Sequence, residues 1–211
     1  GNSALRGVLI DQEGPHFSFG ASVEEHLPGH CAAMLRGLHA LLLRMLAWPA
    51  PIMVAIRGQC LGGGLELACG GHLLFAARDA QLGQPEMKLA VFAPAASILL
   101  PPRVGQSRAE DLLLSGRSID APTALAWGLV NEVADDPTAA ALAYFDAHLA
   151  VKSASSLGYA LRAARAPLVE QVRRRLAEVE ALYLDGLMNT RDAVEGLRAF
   201  LDKRTPKWEH K

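Results

Sequence analysis

Cysteine is scarce in this chain: Cys31, Cys60 and Cys69 are three residues in 211, at spacings that fit neither a disulfide framework nor a zinc site. Set among apolar and small residues, they are expected to be buried packing side chains in a reducing compartment. An excess of one charge sign is lacking too. Against 21 lysines and arginines stand 22 aspartates and glutamates, for a formal net charge of −1. The basic residues are scattered except near the C-terminus, so the electrostatic footprint of a nucleic-acid binder is missing. No apolar run is long enough to cross a bilayer, and the opening Gly1-Asn2-Ser3-Ala4-Leu5-Arg6 lacks the basic-then-apolar layout of a secretory leader. The expectation is a cytoplasmic protein with neither a membrane nor a nucleic-acid partner. No grouping of residues indicates a metal, and there is no internal repeat or low-complexity tract.

What is present is a large apolar fraction, 51% against 20% charged, enough to bury a core. Arg6-Gly7-Val8-Leu9-Ile10-Asp11 reads as a buried strand, and 12–22, with Gly14, Pro15 and Gly20, as the loop leaving it. From Val23 to Trp48 the residues Met34, Leu35, Leu38, Leu41, Leu42, Met45 and Leu46 recur at helical spacing, with Pro28-Gly29 an early break and Pro49 and Pro51 beyond the end. Ile52–Ile56 reads as a second buried strand, Gly62–Cys69 as a short helix, and His72–Ala77 as a third strand. Alternating strands and helices predict right-handed crossovers and a parallel sheet covered by helices. Beyond Glu86 the chain reads as helical except for an apolar piece at 128–133. The fold class is therefore α/β, with a core over 1–136 and a helical region over 137–211 suited to assembly.

Two places carry chemistry. Gly62, Gly63 and Gly64 stand between a strand and a helix, where free N–H groups bind developing negative charge and a side chain would block close approach. Such a triplet serves equally as a tight strand-to-helix turn or as an oxyanion hole. Glu66 follows about one turn into a mainly apolar helix, where a carboxylate is solvated, favoured by the helix dipole, or functional. Glu86 lies in the polar interruption Gln81-Leu82-Gly83-Gln84-Pro85-Glu86; alone it is an ordinary turn residue. Brought into one cleft, two carboxyls with different pKa values suit base and acid roles in water addition.

Taken in order, Phe17-Ser18-Phe19-Gly20-Ala21-Ser22-Val23, Gly58 to Leu67, Leu82 to Glu86, Ala126-Trp127-Gly128-Leu129-Val130-Asn131 and Arg191 to Arg204 resemble the successive motifs of the crotonase (enoyl-CoA hydratase/isomerase) superfamily over essentially the whole chain. The resemblance implies a parallel-sheet core of ββα units and a C-terminal helical trimerisation region, giving a homotrimer or a dimer of trimers. It implies an oxyanion hole from the N–H groups of Ala21 and Gly63, and Glu66 and Glu86 as the pair flanking a water. It places Phe19, Gly20, Gly62, Phe92 and Pro94 around the substrate. That substrate is an unsaturated acyl-CoA, so coenzyme A enters with it and no separate cofactor is called for.

Three departures from the family pattern bear on the substrate. Ser22-Val23-Glu24 replaces a segment that often brings a lysine to CoA, so Lys203 and Arg204 near the C-terminus are the expected phosphate contacts. The loop Val91-Phe92-Ala93-Pro94-Ala95-Ala96-Ser97 replaces a glycine-rich one with a stiffer, more apolar wall. It resembles that of hydratases acting on cyclohexa-1,5-diene-1-carbonyl-CoA, which makes this cyclic diene the expected substrate, with a linear enoyl-CoA as the alternative. Members of the superfamily also carry a strand hairpin and helix ahead of the strand that begins here at Arg6; that element either precedes this stretch or is missing. An isomerase, hydrolase or decarboxylase using one carboxylate is a rival reading, and a non-catalytic binding protein is another.

Overall fold

The computed structural model describes residues 5–211; Gly1 to Ala4, most of the opening read against a leader's layout, lie outside the described residues. Four strands, β1 (Val8–Ile10), β2 (Ile52–Ile56), β4 (Leu73–Ala77) and β7 (Glu132–Ala134), form a wholly parallel sheet in the order β1-β2-β4-β7. Because side chains alternate across a strand, Ile52, Val54, Ile56, Leu74 and Ala76 enter the main core while Met53 and Phe75 meet a smaller cluster under α7 (Pro137–Tyr144). Burial on both faces explains why β2 and β4 read as continuous apolar runs. The parallel, helix-covered sheet expected from the sequence is thus present.

A second sheet was not expected. β3 (Gln59–Leu61) pairs in parallel with β5 (Gln81–Gly83), which pairs antiparallel with β6 (Ser118–Asp120), and Cys60, Leu82 and Ile119 form one buried row across it. Each strand has three residues and one buried side chain, too little to display an alternating pattern. β6 is a short strand within the part beyond Glu86 that reads as mostly helical, and it adds to the apolar piece at 128–133.

The first long helix begins later than expected. Glu24–His26 makes a single 3₁₀ turn, Gly29 takes φ +94°, and α1 runs only from Cys31 to Leu46, so Pro28-Gly29 is the true break. Its buried side includes Leu35, His39, Leu42 and Met45. His39 is buried with Nδ1 3.1 Å from Glu180, and Trp48 is 40% exposed. All three cysteines are buried free thiols.

After α2 (Gly63–Gly70), the short helices α3 (Ala96–Leu99), α4 (Pro101–Val104), α5 (Gln106–Ser115) and α6 (Ala121–Ala126) complete the core. The long α8 (Ala154–Ala181) leads through a π-helical turn, Leu182–Gly186, to α9 (Arg191–Leu201). Among the apolar positions of this region, Leu176 and Val179 enter this chain's own main core and Leu187 and Leu197 its second cluster, whereas Leu182 and Phe200 are largely exposed, as are Val151 and Tyr159. Among the described residues no helix is long and apolar enough to cross a membrane.

Candidate active site

The site begins where the loop after β1 runs alongside β3. Ser18 donates its N–H to Gln59 and accepts from Leu61, both at 2.9 Å, and its Oγ accepts from Gly20 N–H at 3.1 Å. This lays residues 18–21 against the strand-to-helix turn. A Cβ on Gly64 would lie 2.5 Å from Ser18 Cβ, and one on Gly20, at φ +97°, would lie 3.2 Å from the Leu61 carbonyl. Glycine at both positions is what allows the approach. As a result Ala21 N–H comes within 3.5 Å of the point where a Gly63 side chain would start. Gly63 is the first residue of α2, and neither its N–H nor that of Ala21 has an acceptor among the described residues. Two adjacent free amides at a helix start suit an oxyanion.

Glu66 stands on the first turn of α2 and is only 3% exposed. Its Oε1 accepts from Ala96 N–H at 2.7 Å, so the loop expected to shape the surroundings of Glu86 acts first on Glu66. Glu86 lies on the 3₁₀ turn Pro85–Leu89, placed there by β5. Gly62, at φ +55° and ψ −129°, donates to the Gly83 carbonyl at 3.0 Å, and a Cβ on it would meet Glu86 Oε1 at 2.6 Å. With its amide nitrogen toward the carboxyl, Gln84 donates to Oε2 at 2.9 Å and Oε1 at 3.1 Å.

The two glutamates border one chamber of about 20 Å³, room for a single water, lined also by Ala21, Gly63, Phe92 and Pro94. In front of it opens a cleft of about 420 Å³ lined by Phe19, Gly20, Ala21, Gly62, Gly63, Glu86 and Phe200 among others. Ala21, Gly63 and Glu86 belong to both, so the free amides lie at the boundary between cleft and chamber. Lys203 and Arg204 are not brought to the cleft: Arg204 is held by both oxygens of Glu195, at 2.6 and 2.8 Å. The basic side chains on the cleft are His26 and Lys88, which the sequence reading passed over although Lys88 lies two residues after Glu86. Gln84 and Tyr183 were also missed. Gln84 lay within a quoted motif, whereas Tyr183 sits in an apolar helical run that gives no signal. Among the described residues no three metal-ligating side chains converge.

Burial raises the Glu66 carboxyl to about 7 against the Ala96 and Ala95 amides, and burial followed by the charge of Glu66 raises Glu86 to about 8. One proton shared between them near neutrality gives an acid and a base side by side. The stability consequence has a definite sign. Both folded values lie above the ordinary 4.5, so between there and about 8 the folded chain holds more protons than the unfolded one. The pair's contribution is full below about 4.5 and is lost as pH rises through the folded values. Glu86→Gln removes one ionisation, so this variant is expected to melt several degrees above the native protein at pH of about 8.5, with the gap closing toward about 4.5. Thermal unfolding across that range checks it; a gap that widens toward acid would contradict the assignment.

The enoyl-CoA hydratase/isomerase family pattern matches residues 1–211. A cyclohexa-1,5-dienecarbonyl-CoA hydratase of Thauera aromatica is 62% identical over 208 residues, 99% of this chain and 81% of that protein. A probable enoyl-CoA hydratase of Bacillus subtilis is 37% identical over 219 residues, covering 99% and 83%. Among solved structures, a putative enoyl-CoA hydratase from Mycobacterium avium paratuberculosis superposes with a TM-score of 0.87 at 25% identity, over 98% of this chain and 80% of that one.

Proposed function

Because the chain belongs to the enoyl-CoA hydratase/isomerase family, we propose that it adds water to a cyclic dienoyl-CoA, cyclohexa-1,5-diene-1-carbonyl-CoA. The observation that carries the hydratase reading is the one-water chamber bordered by both Glu66 and Glu86, with the Ala21 and Gly63 amides at its mouth. The ring substrate is supported by the 62% identity to a hydratase of that name and by the apolar wall of Phe92 and Pro94.

In this reading the thioester carbonyl accepts from Ala21 and Gly63 N–H. Glu66, whose carboxylate is steadied by the Ala96 amide donor, is the base. Glu86, its carboxyl raised by burial and by the charge of Glu66, is the acid. Water's oxygen bonds to the ring carbon β to the thioester as Glu66 takes its proton. The electron pair of the adjacent double bond moves into a dienolate whose oxygen the two amides stabilise. Glu86 then delivers a proton to the far end of the diene, leaving one double bond conjugated with the thioester. One proton is taken, one is given, and the net addition is one water. In an ordinary hydratase the proton goes instead to the α-carbon.

His26 and Lys88 on the cleft are the candidate contacts for CoA phosphates. Assembly as a homotrimer or dimer of trimers, supported by exposed apolar side chains such as Val151, Tyr159, Leu182 and Phe200, and a cytoplasmic setting that keeps thiols reduced complete the reading. Ultraviolet-monitored hydration tests the substrate. The kcat/KM for the cyclic diene is expected to exceed that for crotonyl-CoA by at least about 10-fold, worth roughly 1.4 kcal/mol of differential transition-state binding. Equality, or preference for crotonyl-CoA, would assign the protein to linear substrates.

A further inference from the structure

Besides His26, which borders both the cleft and the chamber, the chamber behind the oxyanion amides is lined by one further polar side chain that the two-carboxylate mechanism does not use. Tyr183, in the π-helical turn after α8, is fully buried, and its hydroxyl has no hydrogen-bond partner among the described residues. Its ring is well seated: it meets Phe92 edge to face with centroids 5.4 Å apart and packs with Cys31, Leu35, Val91 and Met188. Phenylalanine would keep all of that and shed an unsatisfied oxygen, which for packing alone is the better residue. The tyrosine lines the chamber of about 20 Å³ together with Glu66 and Glu86. A water enclosed there needs two to four polar partners, and the two carboxyls and this hydroxyl supply three. Burial, then Cys31 and the carboxyls of Glu86 and Glu66, push the phenol's ionisation upward, so it faces the chamber as a neutral O–H donor.

We propose that Tyr183 is a further catalytic residue, its hydroxyl donating a hydrogen bond to the single water between Glu66 and Glu86 and fixing that water for attack. The water accepts from Tyr183 through one lone pair and donates its two hydrogens to Glu66 and to the unprotonated oxygen of Glu86. Its remaining lone pair points to the β-carbon. The hydroxyl takes no part in the proton balance; it removes the water's freedom to rotate away from the attack line. This proposal rests on the hydratase reading, since without a reacting water the hydroxyl has nothing to hold.

The test is Tyr183→Phe in the full chain, assayed with cyclohexa-1,5-diene-1-carbonyl-CoA and crotonyl-CoA alongside thermal unfolding. Whichever thioester the native protein hydrates, the variant's kcat is expected to fall roughly 10- to 100-fold, the loss of one buried hydrogen bond to the reacting group, with KM changed by less than about 3-fold. Its Tm is expected to equal or exceed that of the native protein. A structural role would give a different signature: unchanged kcat, or a fall in kcat together with a lowered Tm, and either result overturns the proposal. A native protein that hydrates neither thioester would refute the hydratase reading and this one with it, and the native control makes that case distinguishable.

Discussion

Glu86→Gln is expected to lower kcat for hydration by roughly 10³-fold, about 4 kcal/mol of transition-state stabilisation, while KM for the thioester stays within a few-fold. Glutamine keeps the shape of the side chain and can still receive a hydrogen bond from Gln84, but it has no proton to deliver at neutral pH. Glu66→Gln is expected to lose a similar factor for the complementary reason: its amide cannot take water's proton, although its oxygen can still accept from Ala96 N–H. Both variants should fold, and the Glu86 variant should be the more stable one in mild alkali. Steady-state kinetics on purified protein decide the matter. Near-native turnover in either variant would reduce that glutamate to a turn or helix-terminus carboxylate and would leave an isomerase or hydrolase with one active carboxyl as the better reading.

The second large effect is expected from Gly62→Ala, a change of one methyl group in a residue that does no chemistry. Gly62 holds φ +55° and ψ −129°, a region that L side chains rarely enter, and its missing Cβ is what lets Glu86 Oε1 come within 2.6 Å of that position. Alanine there strains the backbone by about 1–3 kcal/mol and pushes the carboxylate out of place. Since a displacement of about 1 Å in a reacting group loses on the order of 10² in rate, kcat should drop by about that factor and Tm should fall by several degrees. Gly37→Ala on α1 is the control, because a Cβ there meets nothing within 4 Å. A near-native kcat for Gly62→Ala would mean that this glycine serves the turn alone and does not seat Glu86.

Much of this architecture was legible from the residues. The runs at 52–56 and 73–77 are buried on both faces, so they announce themselves as apolar strands, and α1 shows its helical spacing once Pro28-Gly29 is taken as a full break. The triplet Gly62-Gly63-Gly64 and the two glutamates stood out as candidates because their spacing recurs in a family pattern. The three-residue strands β3, β5 and β6 were not, since one buried apolar side chain in each leaves no periodicity to read. Arg204 misled because a cation near the C-terminus looks available until its carboxylate partner, Glu195, is seen across the chain turn. Tyr183 was invisible for a different reason. Within 181–184 it is one more large residue on a helix, and only the packing of that helix against Phe92 puts a hydroxyl beside two acids.

The wall that Tyr183 and Phe92 build has a consequence for how the protein comes into being. Ala21, Gly63, Glu66 and Glu86 all precede residue 183 by many positions, so the chamber gains the side that Tyr183 provides only when the C-terminal helices dock. Closing it waits on contacts of great sequence separation, which form slowly. A nascent chain of this protein can therefore pair its early strands well before the chamber around its two glutamates is complete.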